Sequence, residues 1–175
     1  MHKKRRRILP SFFSSIEFLI CDMIYKKTWK YILIRDKSYW CEAHNFFRPK
    51  ALKNFSDVTK EDIGGFINGF HNLSQLGDCW VYDNAMITGP GNSKVSGAQV
   101  SGNAKIKDYV YVGGMARIFG NAQVKNNAQI LDNVVISGNA VVSDYARIYD
   151  NVQITGNTHI RNFKVIHGNS VINKK

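Results

Sequence analysis

His159 and His167 are the residues best suited to move a proton in the later half of the chain. An imidazole acts as a general base when its pKa lies near the working pH and a neighbouring group orients it. No Asp or Glu follows Asp150, so no carboxylate close in sequence orients either ring. Their ordinary reading is as outward surface residues. Cys41-x-x-His44 has the spacing of one metal-ligand pair, but no second pair accompanies it, and no metal is expected. Gly64-Gly65 and Gly113-Gly114 lack the Lys-Ser/Thr that completes a phosphate loop. Cys21, Cys41 and Cys79 are widely separated and odd in number, which points to a reducing, cytoplasmic compartment. These residues form no catalytic constellation, and no cofactor is expected from them.

The elements that must position any site are set by a repeat. From Val100 an aliphatic residue recurs every six positions through Ile106, Val112, Ile118, Val124, Ile130, Ile136, Val142, Ile148, Ile154, Ile160 and Ile166 to Ile172. Val81, Ile87 and Val95 extend the series upstream, with slips at Pro90-Gly91 and in the short hexad at 95–99. Six residues are not a whole number of helical turns, and a long strand would alternate every second residue. A short strand followed by a corner fits. The position four after each aliphatic is small almost throughout (Ala104, Val110, Ala116, Ala122, Ala128), as a narrow interior requires. The corners are Gly-Asn, Asp-Tyr, Asn-Asn and Asp-Asn, residues that best tolerate a left-handed backbone.

A second period of eighteen repeats the corner motifs, as in Ser101-Gly102-Asn103, Phe119-Gly120-Asn121 and Ser137-Gly138-Asn139. Three hexads per coil mean a triangular cross-section. The expectation is an all-β, left-handed three-sided parallel β-helix over 81–175, of about five coils at roughly 4.8 Å each. Residues 24–80 are read as a small aromatic-rich N-terminal cap and first coil. Trp29, Tyr31, Tyr39, Trp40, Phe46, Phe47, Phe66 and Phe70 pack there, and Ile63-Gly64-Gly65-Phe66-Ile67, whose Ile63 lies eighteen before Val81, begins coil one. Lys164 falls where other coils have a small residue, so a bulge or a register slip is expected beside Phe163. The C-terminal coil shows no cap, which lysines or another subunit would protect.

Net charge is +11, of which residues 1–30 contribute +6. The run Lys3, Lys4, Arg5, Arg6, Arg7 heads a basic tail over 1–23, helical or disordered, suited to non-specific polyanion binding, nucleic acid included. The following stretch is broken by Pro10, Ser11, Ser14, Ser15, Glu17 and Asp22, unlike a signal peptide, and Met23 is an alternative start to Met1. No apolar run is long enough to span a membrane.

The eighteen-residue period sorts outward side chains into three faces. Lys105, Lys107, Lys125, His159 and Arg161 share a basic face. Tyr111, Leu131 and Tyr149 share the next; Phe119 and Val135 lie on the third. These five are the expected apolar binding surface, for a protein partner or for self-association, including a homotrimer.

Ala51-Leu52-Lys53-Asn54-Phe55, Asp62-Ile63-Gly64-Gly65-Phe66-Ile67, Asn72-Leu73-Ser74-Gln75 and Trp80-Val81-Tyr82-Asp83-Asn84-Ala85 together resemble the YdcK-type bacterial and phage β-solenoid proteins, often labelled hexapeptide transferase-like. The resemblance covers about residues 45–172. It implies a hexapeptide-repeat fold and carries little about activity. The leading functional expectation is a non-catalytic scaffold or protein-binding protein of phage or mobile-element type. The prism also resembles hexapeptide acyltransferases, which implies coenzyme A and a histidine base, here His159 or His167. An electrostatic nucleic-acid binder is the third reading.

Overall fold

Each hexad divides into a strand of about two residues and a corner, because its small and aliphatic positions point inward and the Asp, Asn or Gly between them turns the chain. The computed structural model describes residues 29–36, 46–89 and 93–175. The basic run at 3–7, Cys21, Cys41, His44, Tyr39, Trp40 and the Pro90-Gly91 insertion lie outside these. Among the described residues there is no helix, and hence none long and apolar enough to cross a membrane.

Stacked strands form three sheets. The basic face contains Phe66–Ile67, Met86–Thr88, Lys105–Lys107, Gln123–Val124, Val141–Val142 and His159–Ile160. The second contains Lys94–Val95, Tyr111–Val112, Gln129–Ile130, Arg147–Ile148 and Val165–Ile166, with Leu73 bridging Val95 in parallel. The third contains Trp80–Val81, Gln99–Val100, Arg117–Ile118, Val135–Ile136, Gln153–Gly156 and Val171–Lys174. All pairing between successive coils is parallel, with Ile118 opposite Val100 and Ile136, and Ile130 opposite Val112 and Ile148. The chain is therefore a three-sided parallel β-solenoid of about six turns.

The first turn sits one step from where the spacing placed it. Ile67, not Ile63, opens the stack, opposite Ile87. Ile63 is 51% exposed and bridges Lys50 in an antiparallel sense. Counting back by eighteen failed because early coils are irregular: Val81 pairs with Val100, nineteen residues on, and Val95 with Val112, seventeen on. The expected disturbance at Lys164 is also absent. Val165 and Ile166 pair in register with Arg147 and Ile148, and the Arg147 N–H donates to the Lys164 carbonyl at 2.9 Å. Lys164 is exposed because its coil is the last, so its inward position opens onto solvent instead of onto another turn.

The interior is a column of Ile and Val layered with Ala. Ile106, Ile118, Ile130, Ile136, Ile148 and Ile154 are fully buried, as are Ala104, Ala116, Ala128 and Ala140. Fully burying one such aliphatic contributes about 1.5–3 kcal/mol, and each depends on the turn above and below it.

The N-terminal end is closed by a hairpin. β1 (Tyr31–Arg35) pairs antiparallel with β2 (Phe47–Ala51), and Phe47 of β2 lies opposite Ile67. Trp80 is buried at the centre of this cap, edge-on to Tyr31 at 6.0 Å and Phe55 at 5.4 Å, and Phe70 stacks on Tyr31 at 5.8 Å. The Tyr31 hydroxyl donates to the Leu73 carbonyl at 2.6 Å, tying the hairpin to the first coil.

Core substitutions should show the layering. Ile130→Ala, in mid-stack, is expected to cost about 2–5 kcal/mol. Ile166→Ala in the half-buried last turn should cost clearly less. Urea unfolding of both variants measures the difference; equal losses would contradict stacking as the source of stability.

Candidate functional site

The eighteen-residue register turns widely separated side chains into straight columns. On the second face one column reads Ser96, Gly113, Leu131, Tyr149, His167, one residue per coil. Gly113 is buried although it stands at an outward position. A Cβ there would lie 3.0 Å from Cε1 of Tyr111, 3.2 Å from its hydroxyl and 3.3 Å from Cδ2 of Leu131. The missing side chain is what lets the Tyr111 ring lie across the sheet against Leu131. Tyr149 continues the strip and stacks on His167, rings 5.2 Å apart and 5° from parallel. The result is a flat, largely apolar strip about 14 Å long over four coils.

Phe119 and Val135, the other two residues of the expected binding surface, lie on the third sheet, where the eighteen-residue period puts them. Phe119 lies in the column between Ser101 and Ser137, and Val135 between Arg117 and Gln153. The structure does not bring them to Tyr111, Leu131 and Tyr149.

The histidines are separated as well. His159 is outward on the basic face beside Val141. His167 faces outward on the second sheet, and its Nδ1 lies 3.9 Å from Asp150 Oδ2. Asp150 is distant in sequence but one coil below in space, so a carboxylate does approach this imidazole. That oxygen also accepts the Gly168 N–H at 2.9 Å, so the carboxylate is held by the backbone first. Both partners are well exposed, and such a pair contributes little to stability.

The basic face carries Lys105, Lys107, Lys125, His159 and Arg161, as the period predicts. No Asp or Glu occupies an outward position on its coil strands. Asp108 and Asp144 stand at the corner beyond it, turned along the stack. Asp108 Oδ2 accepts the Asn126 N–H at 3.1 Å, and Asp144 Oδ2 accepts the Asn162 N–H at 2.9 Å. The Asn162 bond, joined by the Asn126 carboxamide at 2.7 Å, holds the Asp144 carboxyl below the usual carboxylate range. The same corner bears Tyr109, Asn127, Tyr145 and Phe163; Tyr145 and Phe163 stack at 4.9 Å, 6° from parallel.

One polar site escaped the sequence reading. Lys30 is buried in the cap, where its Nζ donates to the carbonyls of Gly77 at 3.1 Å and Cys79 at 2.7 Å and to Cys79 Sγ at 3.2 Å. The ammonium also lies 4.9 Å from the centre of the Phe55 ring. Burial pulls its pKa below the ordinary lysine value. It closes a loop end; no nucleophile-and-base pair opens to solvent there. Nothing in the local sequence distinguishes Lys30 from Lys26 or Lys27. Among the described residues no cluster of three metal-ligating side chains occurs. Compared with known proteins, the chain matches no family model and no curated protein sequence.

The corner carboxylates make stability acid-sensitive. A depressed folded-state pKa contributes stability above the unfolded value, and that contribution is lost as pH falls through the folded value. Asp144 acts in this sense, as do Asp57, bonded to the Tyr82 hydroxyl at 2.6 Å, and Glu61, bonded to Lys50. The melting temperature should fall as pH drops below about 4. Asp144→Asn keeps an acceptor for the Asn162 N–H and should flatten that fall; an unchanged slope would show that the corner bond does not set it.

Proposed function

We propose that this chain is a non-catalytic β-solenoid scaffold of the YdcK-like, phage or mobile-element type, self-associating and holding a protein partner through its second face. The observation that carries the reading is the strip of Tyr111, Leu131 and Tyr149, made continuous by the absent side chain at Gly113. Aromatic groups on a flat, rigid sheet give contact area at low entropic cost, and such groups are enriched at the centres of protein interfaces. A threefold oligomer would bury one such face per subunit. Tyr111→Lys combined with Tyr149→Lys should convert an oligomer to a monomer in sedimentation equilibrium. The monomeric variant should stay folded and unfold cooperatively, because both side chains point outward and only the stabilisation by the partner subunits is lost. Equal masses for parent and variant would end this reading.

One observation favours a second reading, a coenzyme-A-dependent acyltransferase. His167 is the only histidine with a carboxylate at ion-pair distance among the described residues, 3.9 Å from Asp150. A ligand that binds only the folded protein raises the melting temperature with concentration. A saturable shift with acetyl-coenzyme A, lost in His167→Ala, would replace the scaffold reading. No shift would remove the enzyme.

A further inference from the structure

We infer that the basic face is a docking surface for the phosphodiester backbone of duplex nucleic acid, bound without regard to sequence. It lies on a different side of the prism from the aromatic strip and stands or falls independently of it. The face is a parallel sheet whose coils follow one another at roughly 4.8 Å. Lys105 and Lys107 project from one strand, and Gln123 and Lys125 from the next. Val141 and Ser143 follow, then His159 and Arg161. Lys105, Lys107 and Arg161 are exposed and Lys125 is half-buried; among the described residues none of the four forms an ion pair. Lys105, Lys107 and Lys125 lie on adjacent coils with no carboxylate between them and repel one another, while Arg161 feels the charge of Asp144 at the corner; a polyanion relieves the repulsion among the lysines.

One margin of the face has the matching chemistry. On one side runs a ladder of exposed carboxamides. Asn103 donates to Asn121 at 3.3 Å, Asn121 to Asn139 at 3.1 Å and Asn139 to Asn157 at 3.0 Å. Together with the exposed Gln123 they supply neutral hydrogen-bonding groups of the kind that contact phosphate and sugar. On the other margin Asp108 and Asp144 bond backbone N–H groups of the following coil, along the stack instead of across the face.

Charge alone does not choose between nucleic acid and an acidic protein; the rest of the surface does. A protein interface needs desolvated apolar or aromatic anchors at its centre. The second face has them, but between Lys105 and Arg161 the basic face offers only Val141. The sheet itself carries no aromatic platform on which unpaired bases would stack; the exposed Tyr109, Tyr145 and Phe163 stand at the corner beyond it, beside Asp108 and Asp144. A flat surface of cations and short polar groups suits backbone contact without base readout.

The test is fluorescence anisotropy of the full chain with a labelled duplex of arbitrary sequence across a salt series. The basic run at 3–7 is kept in every protein, so differences report on the face. Each phosphate neutralised contributes roughly −0.9 to the slope of log affinity against log salt. The triple variant Lys105→Gln, Lys107→Gln, Lys125→Gln should therefore lose about 2.7 of slope and about tenfold or more in affinity. Arg147→Gln, on the neighbouring face, should bind as the parent does, and a duplex of unrelated sequence should bind equally. A triple variant with the parent's affinity and slope would overturn the inference and assign binding to the tail. Preference for polyglutamate over duplex at equal salt would overturn it in favour of an acidic protein partner.

Discussion

From Gly97 to Gly168 every corner of this prism passes through a backbone conformation that most L-residues avoid. Asp108, Asn126, Asp144 and Asn162 have φ of +67°, +64°, +63° and +68°; Gly102, Gly120 and Gly138 have +65°, +71° and +69° at another corner. Only Gly, Asn and Asp take this conformation at modest cost. At Gly138 a side chain is also excluded by space, since a Cβ would lie 2.9 Å from the Gly156 nitrogen. Where Asp occupies the position it does more than turn. Asp83, Asp108, Asp132, Asp144 and Asp150 each accept the N–H of the turning residue in the coil that follows. The corner thus sets the coil length and also bonds coil to coil, and the straight columns on the faces follow from both.

Those columns let one short repeat carry different chemistries on different sides. The positions before and after each buried aliphatic point outward and are free to vary, so Lys and Arg collect on one sheet and Tyr and Leu on the next. Gly113 shows how local the adjustment is: one absent side chain lets a tyrosine ring lie flat and joins two coils into one strip. The faces differ in charge and polarity without differing in backbone, so the surfaces can serve separate partners while the core stays the same.

The regular part of this architecture is readable in the chain because both periods, six and eighteen, are written directly in residue type. The thirteen aliphatics from Val100 to Ile172, the small residues between them and the sorting of Lys105, Tyr111 and Arg117 to three faces all follow from counting. Counting fails where insertions change the coil length: within 63–67 the period marks Ile63 as the inward residue, whereas Ile67 takes that place. It also misreads the last coil, because periodicity assumes a neighbour above: Lys164 needs no bulge when nothing stacks on its inward side. The candidate site was legible only in part. Columns could be assigned, but the approach of Asp150 to His167, the Tyr111 ring over Gly113 and the buried Lys30 depend on side-chain directions that a repeat does not encode.

The central claim is the register: residues eighteen apart lie side by side, and residues six apart lie on different faces. Cysteine cross-linking tests it directly, in a chain with Cys21 and Cys41 replaced by serine. Cα atoms within about 4.4–6.8 Å can be joined by a disulfide. Gln123→Cys with Val141→Cys, opposite one another on adjacent strands, should close a bridge under mild oxidation, seen by mass spectrometry as the loss of two thiols. Gln123→Cys with Gln129→Cys, on separate sheets, should remain reduced. The reverse pattern would contradict the stacking on which both functional faces rest.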